Sequence, residues 1–236
     1  MEEKVKGIVI GGVNYGENDR ILTIFTLEKG VVSAKIKGVK KPKAKLKFAA
    51  EPFCFAEYVF SFSQGKRTVI GASLIDSFYP LRENINRYFC AGAVIEFLRK
   101  FLKEGITAPN TLLLTAEVLR ELAYGDQAPN SLLAWFLVEG LKQVGYGLNY
   151  NDCFCCGKSI ENRVFFDYAS GAFYCDECNK GRAREINFKT YLTIRKVANR
   201  EEVSNDDAVF ALRLLDYYLV NKTEEKLASL SELIKL

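Results

Sequence analysis

The chain has 236 residues, with 33 basic and 29 acidic side chains, no histidine and a hydrophobic fraction of 49%. That length and apolar content suit two folded domains with real cores rather than one small module. The lack of histidine excludes a Ser-His-Asp triad, an imidazole general base and every His-bearing catalytic zinc site, and it points away from an enzyme.

The net charge of +4 conceals a local asymmetry. Eight lysines (29, 35, 37, 40, 41, 43, 45 and 47) occur between Lys29 and Lys47 without one acidic residue. The rest of the chain carries 25 basic against 29 acidic side chains, so the basicity belongs to a site. No apolar run reaches membrane-spanning length, and Met1-Glu2-Glu3-Lys4 does not open a signal peptide. Together with unpaired-looking cysteines, this predicts a cytoplasmic protein with no membrane partner.

The first 80 residues read as β-structure. Strands are predicted over 4–13, 20–27, 31–39, 53–62 and 68–78, separated by Asn14–Asn18, Glu28–Gly30, the lysine segment and Ser63–Lys66. Five short strands in about 80 residues suggest a small closed barrel of the OB type. In the third strand Ser33, Lys35 and Lys37 share the face opposite Ala34 and Ile36, and Gly38–Lys47 then adds a flexible comb of charge. Lysines of this kind, Lys43 and Lys45 included, suit phosphate contact without base readout. Tyr15, Tyr58, Phe60 and Phe62 are candidate stacking rings, although alternation alone does not choose between the core and the outer face.

After Pro80 the pattern turns helical. Apolar residues at helical spacing cover 85–101; Pro109-Asn110 and Pro129-Asn130-Ser131 open helices over 111–124 and 132–146. Further helices are predicted over 186–199, over 205–221 behind Ser204, and over 224–236. The predicted organisation is α+β and multidomain: a five-stranded OB-fold barrel at 1–80 and a helical domain at 81–236, interrupted by a zinc ribbon at about 149–184.

The ribbon rests on two C-x2-C knuckles, Cys153/Cys156 and Cys175/Cys178, with 18 residues between them. This spacing fits one closed tetrathiolate zinc site, structural because no ligand position is left for water or substrate. Val164–Tyr168 and Ala172–Tyr174 flank Ala169-Ser170-Gly171 as a hairpin carrying one knuckle at each side. Disulfides or merely buried thiols are the competing readings. Cys155 is an extra thiol within the first knuckle, whereas Cys54 and Cys90 stand among apolar residues and read as core.

Other matches fail. Gly157-Lys158-Ser159 resembles the end of a phosphate-binding loop, but Asp152 stands where that motif needs its first glycine. Gly11–Gly16 lacks dinucleotide-loop spacing, and Glu17 and Asp19 sit in a turn beside Arg20, where they read as capping or pairing groups.

The stretch Asn14–Thr26, then Gly30, then Ala34–Lys41 resembles the N-terminal pattern of the RecO family of bacterial recombination mediators, and the four knuckle cysteines match its zinc-bearing branch. The resemblance implies DNA repair and homologous recombination: binding of single- and double-stranded DNA and annealing of complementary strands. It also implies partnership with RecR and with the acidic C-terminal tail of the single-stranded-DNA-binding protein, helping RecA indirectly to replace that protein on DNA at the bacterial nucleoid. Mapped onto matching positions, Arg20, Lys35, Lys37, Lys40 and Lys41 become DNA-contact candidates. Pro42 interrupts the basic segment in a way the family pattern does not. The competing expectations are a zinc-ribbon nucleic-acid-binding module of the transcription or translation apparatus and a zinc-dependent hydrolase or nucleotidyl enzyme; four thiolates and no histidine argue against the latter.

Overall fold

The computed structural model describes residues 2–235, and the chain divides into two compact units. The first holds the chain up to Glu83 together with Ile95–Ala123; the second holds Asn84–Val94 and the chain from Tyr124 onward.

The first unit is built on strands β1 (Glu2–Tyr15), β2 (Asp19–Thr26), β3 (Gly30–Ile36), β4 (Phe55–Ser63) and β5 (Lys66–Asp76). They close into a barrel in the order β1-β2-β3-β5-β4, the OB-fold arrangement. β1 is long enough to serve two neighbours, pairing over Glu2–Ile8 with β4 and over Gly7–Tyr15 with β2. At the overlap stands Gly7, where an added Cβ would lie 2.8 Å from the Phe25 carbonyl oxygen, so a side chain there would force the strands apart. A register shift between Val9 and Gly11 bends the strand into its second partner. Short parallel pairing of Lys35 with Thr68 and Ile36 with Val69 seals the barrel. Gln64 and Gly65, both left-handed at φ 49° and 74°, turn β4 back into β5 as a two-residue hairpin loop.

Alternation along β4 sends Ala56, Tyr58 and Phe60 into the barrel core with Val5, Leu22, Ile24, Val32 and Ile36. Tyr58 and Phe60 are 0% and 1% exposed, which removes both from the candidate stacking rings. The Tyr58 hydroxyl donates to the Ala49 carbonyl at 3.1 Å, and burial pushes its ionisation far above the ordinary phenol range. The same unit contains the last turns of α1 (Ile85–Phe101) and nearly all of α2 (Pro109–Tyr124). Between them, Glu104 bridges to Val31 and the Gly105 N–H donates to the Val31 carbonyl at 3.0 Å.

The second unit centres on α3 (Pro129–Gln143), which is buried along most of its length through Leu132, Leu133, Phe136, Leu137, Val138 and Leu141. It packs on α5 (Phe188–Ala198) and α6 (Asn205–Thr223). Between α3 and α5 the chain forms a small sheet from β6 (Val164–Asp167), β7 (Ala172–Cys175) and β8 (Arg184–Ile186), in the order β7-β6-β8, with the single turn α4 (Asp176–Asn179). The third strand departs from the sequence pattern, which starts a helix at 186; α5 instead begins at Phe188 behind Asn187, whose side chain accepts from the Lys189 N–H. Ser204 caps α6 by accepting from the Asp207 N–H. The helix expected over 224–236 is shorter. Glu224 takes a left-handed conformation (φ 61°) that stops α6, and helix resumes only as α7 (Ala228–Leu233). No helix among the described residues is long and apolar enough to cross a membrane.

Candidate nucleic-acid interface and metal centre

The lysine segment is an anchored loop, where the sequence suggested a flexible comb. At its start the Asp19 carboxylate accepts from the Gly38 N–H at 2.8 Å and pairs with the Lys35 ammonium at 2.8 Å, and the Lys40 N–H donates to the Asn18 carbonyl. Val39 is buried in the barrel core, with Leu46 and Phe48 packed against it further on. The loop ends in a 3-10 turn, Phe48–Ala50, with Ala49 and Ala50 buried. Successive turn hydrogen bonds from Lys41 to Gly38, Ala44 to Lys41 and Lys47 to Ala44 join the two anchors. With the apolar residues committed inward, Lys37, Lys40, Lys41, Lys43, Lys45 and Lys47 all stand exposed.

Lys35 and Arg20 behave differently from those six. Lys35 is half-buried, paired with Asp19, and its Nζ lies 4.4 Å from the centre of the exposed Tyr15 ring. Arg20 points toward the barrel end, where Nη1 donates to the Ala50 carbonyl at 2.7 Å and ties the 3-10 turn to β2. Beside β3, the β4–β5 hairpin adds basic residues that sequence reasoning missed. Lys66 is exposed, and the Arg67 guanidinium lies 5.7 Å from the centre of the half-exposed Phe62 ring. Their signal was the hairpin turn itself, since the pairing of Lys35 with Thr68 brings this end of β5 alongside β3.

The bond from Lys35, and after it the Gly38 N–H, holds the Asp19 carboxyl below its ordinary value of 3.8. A depressed carboxyl supports the folded state fully above 3.8, and that support is lost as the pH falls through the lower folded value. In an NMR titration the Gly38 amide resonance is therefore expected to shift in acid with a midpoint below 3.8, and Asp19→Asn is expected to remove that step. A midpoint at or above 3.8 would show that the clamp is not formed.

In the second unit, the Sγ atoms of Cys153, Cys156, Cys175 and Cys178 lie within 4.8 Å of one another. Cys156 and Cys175 are 3.9 Å apart, too far for a disulfide and close to the roughly 3.8 Å edge of a tetrahedron with metal–sulfur bonds of about 2.3 Å. Two left-handed glycines, Gly157 (φ 68°) and Gly181 (φ 74°), let the chain turn beyond each knuckle. The Cys175 N–H donates to the Cys153 sulfur at 3.4 Å. Burial pushes the Cys153 thiol up, but the N–H groups of Cys175, Cys156 and Cys155 outweigh it and hold the thiol at about 6. Cys178 is pushed the other way, chiefly because the Cys175 sulfur shares its proton. Four crowded sulfurs competing for protons form a donor set suited to one thiophilic cation.

Cys155 is exposed and stands outside the quartet. Cys54 and Cys90 are buried; burial raises the Cys54 thiol and pushes Cys90 up to about 12, as core residues would behave. Arg163 braces the ribbon by binding Glu185 through Nε and Nη2, at 2.9 and 2.8 Å, and Asp176 through Nη1 at 3.0 Å. Phe166 meets Tyr218 at 5.7 Å and Phe173 meets Tyr191 at 5.1 Å between ring centres, which seats β6 and β7 on α6 and α5.

Two family models match the chain. The one described as recombination protein O N terminal covers residues 1–78, and the one described as recombination protein O C terminal covers residues 82–231. A DNA repair protein RecO from Acetivibrio thermocellus is 30% identical over 206 residues, spanning 83% of this chain and 81% of the relative. One from Syntrophomonas wolfei is 29% identical over 224 residues, covering 93% and 89% of the two chains. A third, from Clostridium novyi, is 27% identical over 250 residues and covers 96% and 91%.

Proposed function

Because the chain belongs to the RecO family of DNA repair proteins, we propose that it is a non-enzymatic recombination mediator. It binds single- and double-stranded DNA through the lysine loop, anneals complementary strands, and acts with RecR to help RecA onto DNA covered by the single-stranded-DNA-binding protein. The observation that carries this reading is the anchored loop presenting six exposed lysines. In an OB-fold the loops at this end of the barrel are where oligonucleotides are held, and the β4–β5 hairpin adds Lys66 and Arg67 beside them.

The physical account of annealing asks little of individual side chains. Two complementary strands repel through their phosphates; a fixed array of ammonium groups lowers that repulsion and raises the strands' local concentration. Base pairing then supplies the sequence choice, so neither base-reading side chains nor nucleotide hydrolysis is required. Lys37, Lys40, Lys41, Lys43 and Lys45 make the phosphate contacts in this scheme. Lys35 with Tyr15 offers a cation beside a stacking ring, and Arg20 positions the loop from beneath. The metal is one structural Zn²⁺ held by Cys153, Cys156, Cys175 and Cys178, and the site of action is the bacterial nucleoid in the cytoplasm.

The test is annealing of two complementary oligonucleotides precoated with the single-stranded-DNA-binding protein and its acidic C-terminal tail. Wild-type protein is expected to accelerate pairing, further so with RecR present. A folded protein that binds bare DNA but leaves coated strands unpaired would remove the mediator role and favour a zinc-ribbon module of the transcription or translation apparatus.

A further inference from the structure

We propose that the groove between β8 and α6 is a second nucleic-acid site, shaped for one nucleotide of a single strand. The choice of nucleic acid as occupant rests on the DNA-binding reading above; the groove belongs to the other compact unit and its side chains are independent of the lysine loop.

The groove is a shallow cleft open to solvent, of about 310 Å³, at the small end of the range for ligand pockets, which suits a nucleotide-sized group rather than a duplex. Tyr168, Arg184, Phe210, Arg213 and Tyr217 line it. Tyr168 and Tyr217 meet edge-on at 4.7 Å between ring centres, and Tyr217 is 47% exposed, so its ring is available to a base. Arg184 and Arg213 are exposed. Neither makes an ion pair or side-chain hydrogen bond among the described residues.

One acidic side chain, Glu185, itself lines the groove, and Asp216 stands between Arg213 and Tyr217 on α6, half-buried, with one carboxylate oxygen unpartnered and its carboxyl pushed up by burial. Glu185 is bound in two-pronged fashion by Arg163, and Asp207 is paired with Lys189, whose Nζ lies 4.9 Å from the centre of the Phe210 ring. Neither Glu185 nor Asp216 pairs with Arg184 or Arg213, so the groove keeps two guanidinium groups free of ion pairs around an aromatic floor. That combination recognises a phosphate and an unstacked base together, which a single strand offers and a duplex withholds. An acidic peptide would satisfy the arginines but would leave the rings without a partner. One strand on the lysine loop and another in this groove would give a single chain two holds on DNA, as annealing requires.

The probe is a twelve-residue oligothymidylate carrying one 5-iodouracil, photo-crosslinked to the full chain and mapped by peptide mass spectrometry. Adducts are expected on Tyr217 or Tyr168 in wild type, with the same adducts in the Lys37→Glu, Lys40→Glu, Lys41→Glu variant. They are expected to disappear in Arg184→Glu, Arg213→Glu, whose salt dependence of binding should flatten by about 1.4 in log–log slope for two lost phosphate contacts. Both arginines are exposed, so an unchanged melting temperature is expected and confirms that folding is intact. Adducts confined to the barrel, or groove adducts undiminished in the arginine variant, would overturn the second site while leaving the lysine-loop reading in place. Groove adducts with none on the barrel would instead uphold this site and remove the lysine loop from the DNA interface.

Discussion

Reversing three charges of the anchored loop, with Lys37→Glu, Lys40→Glu and Lys41→Glu together, is expected to weaken oligothymidylate binding by on the order of a hundredfold at moderate salt. Annealing of coated strands is expected to be lost with it. The estimate follows from counterion release: each phosphate contact on a single strand contributes about 0.7 to the salt slope, so three lost contacts flatten it by about two. The same substitutions are expected to leave folding intact. All three lysines are exposed, and the backbone rather than their side chains ties the loop to Asn18, Asp19 and Gly38. Surface changes of this kind move stability by only about 0.5 kcal/mol, and relief of repulsion among the remaining lysines pushes toward a slightly firmer fold. Loss of binding without loss of stability is therefore the signature. Fluorescence anisotropy across a salt series, with thermal melting of the same samples, reads both. An unchanged slope would show that the loop does not meet phosphate, whatever happens to annealing.

The loop also shows where reading the chain succeeded and where it stopped. Eight lysines without an acid are visible in any linear scan, and the alternation of Ser33, Ala34, Lys35 and Ile36 set which of them face outward. The anchoring was invisible. Asp19 reaches Gly38 across 19 positions of sequence, and within what reads as a flexible comb of charge Val39 is buried in the barrel core with Leu46 packed against it. The aromatic residues of β4 failed for another reason. Tyr58, Phe60 and Phe62 share one parity, and the strand buries the first two but leaves the third half-exposed where it runs past the barrel end. Periodicity cannot say where a barrel stops.

The ribbon divides in the same way. Two knuckles and a hairpin between them follow from cysteine spacing and two aromatic runs, because metal coordination is a local geometric demand. β8 did not follow, since Arg184-Glu185-Ile186 has no pattern of its own and becomes a strand only by pairing with Val164–Phe166. The start of the last helix was hidden too: the sequence ends α6 two residues short of Thr223 but runs the next helix from Glu224, which instead takes a left-handed conformation without the glycine or proline that usually marks such a stop. The proposed groove was out of reach for the related reason that Tyr168, Arg184 and Tyr217 meet only after β8 is placed.

Stripping the metal, by a chelator or by Cys153→Ser with Cys175→Ser, is expected to lower the melting temperature of the second unit by about 10 °C, the scale of a loss of a few kcal/mol in a domain of this size. Native mass spectrometry of the intact chain should first show one zinc ion per molecule. The size of the effect follows from what the ribbon holds. Phe166 and Phe173 pack on Tyr218 and Tyr191, and the Tyr218 hydroxyl donates to the Tyr146 carbonyl, so opening the knuckles loosens α5 and α6 as well as the hairpin. Gly171 makes the coupling tighter still: a Cβ there would lie 2.7 Å from the Tyr218 oxygen, so hairpin and helix have no slack between them. The lysine loop is anchored by barrel residues alone, and its share of DNA binding is expected to survive metal loss. What should vanish is the groove's share, seen as the same flattening of the salt slope that Arg184→Glu, Arg213→Glu produces. A metal-free chain that melts unchanged would refute the structural metal. Collapse of the lysine-loop contribution as well, with the barrel still folded, would mean that the metal module supports the loop in a way the anchoring contacts do not account for.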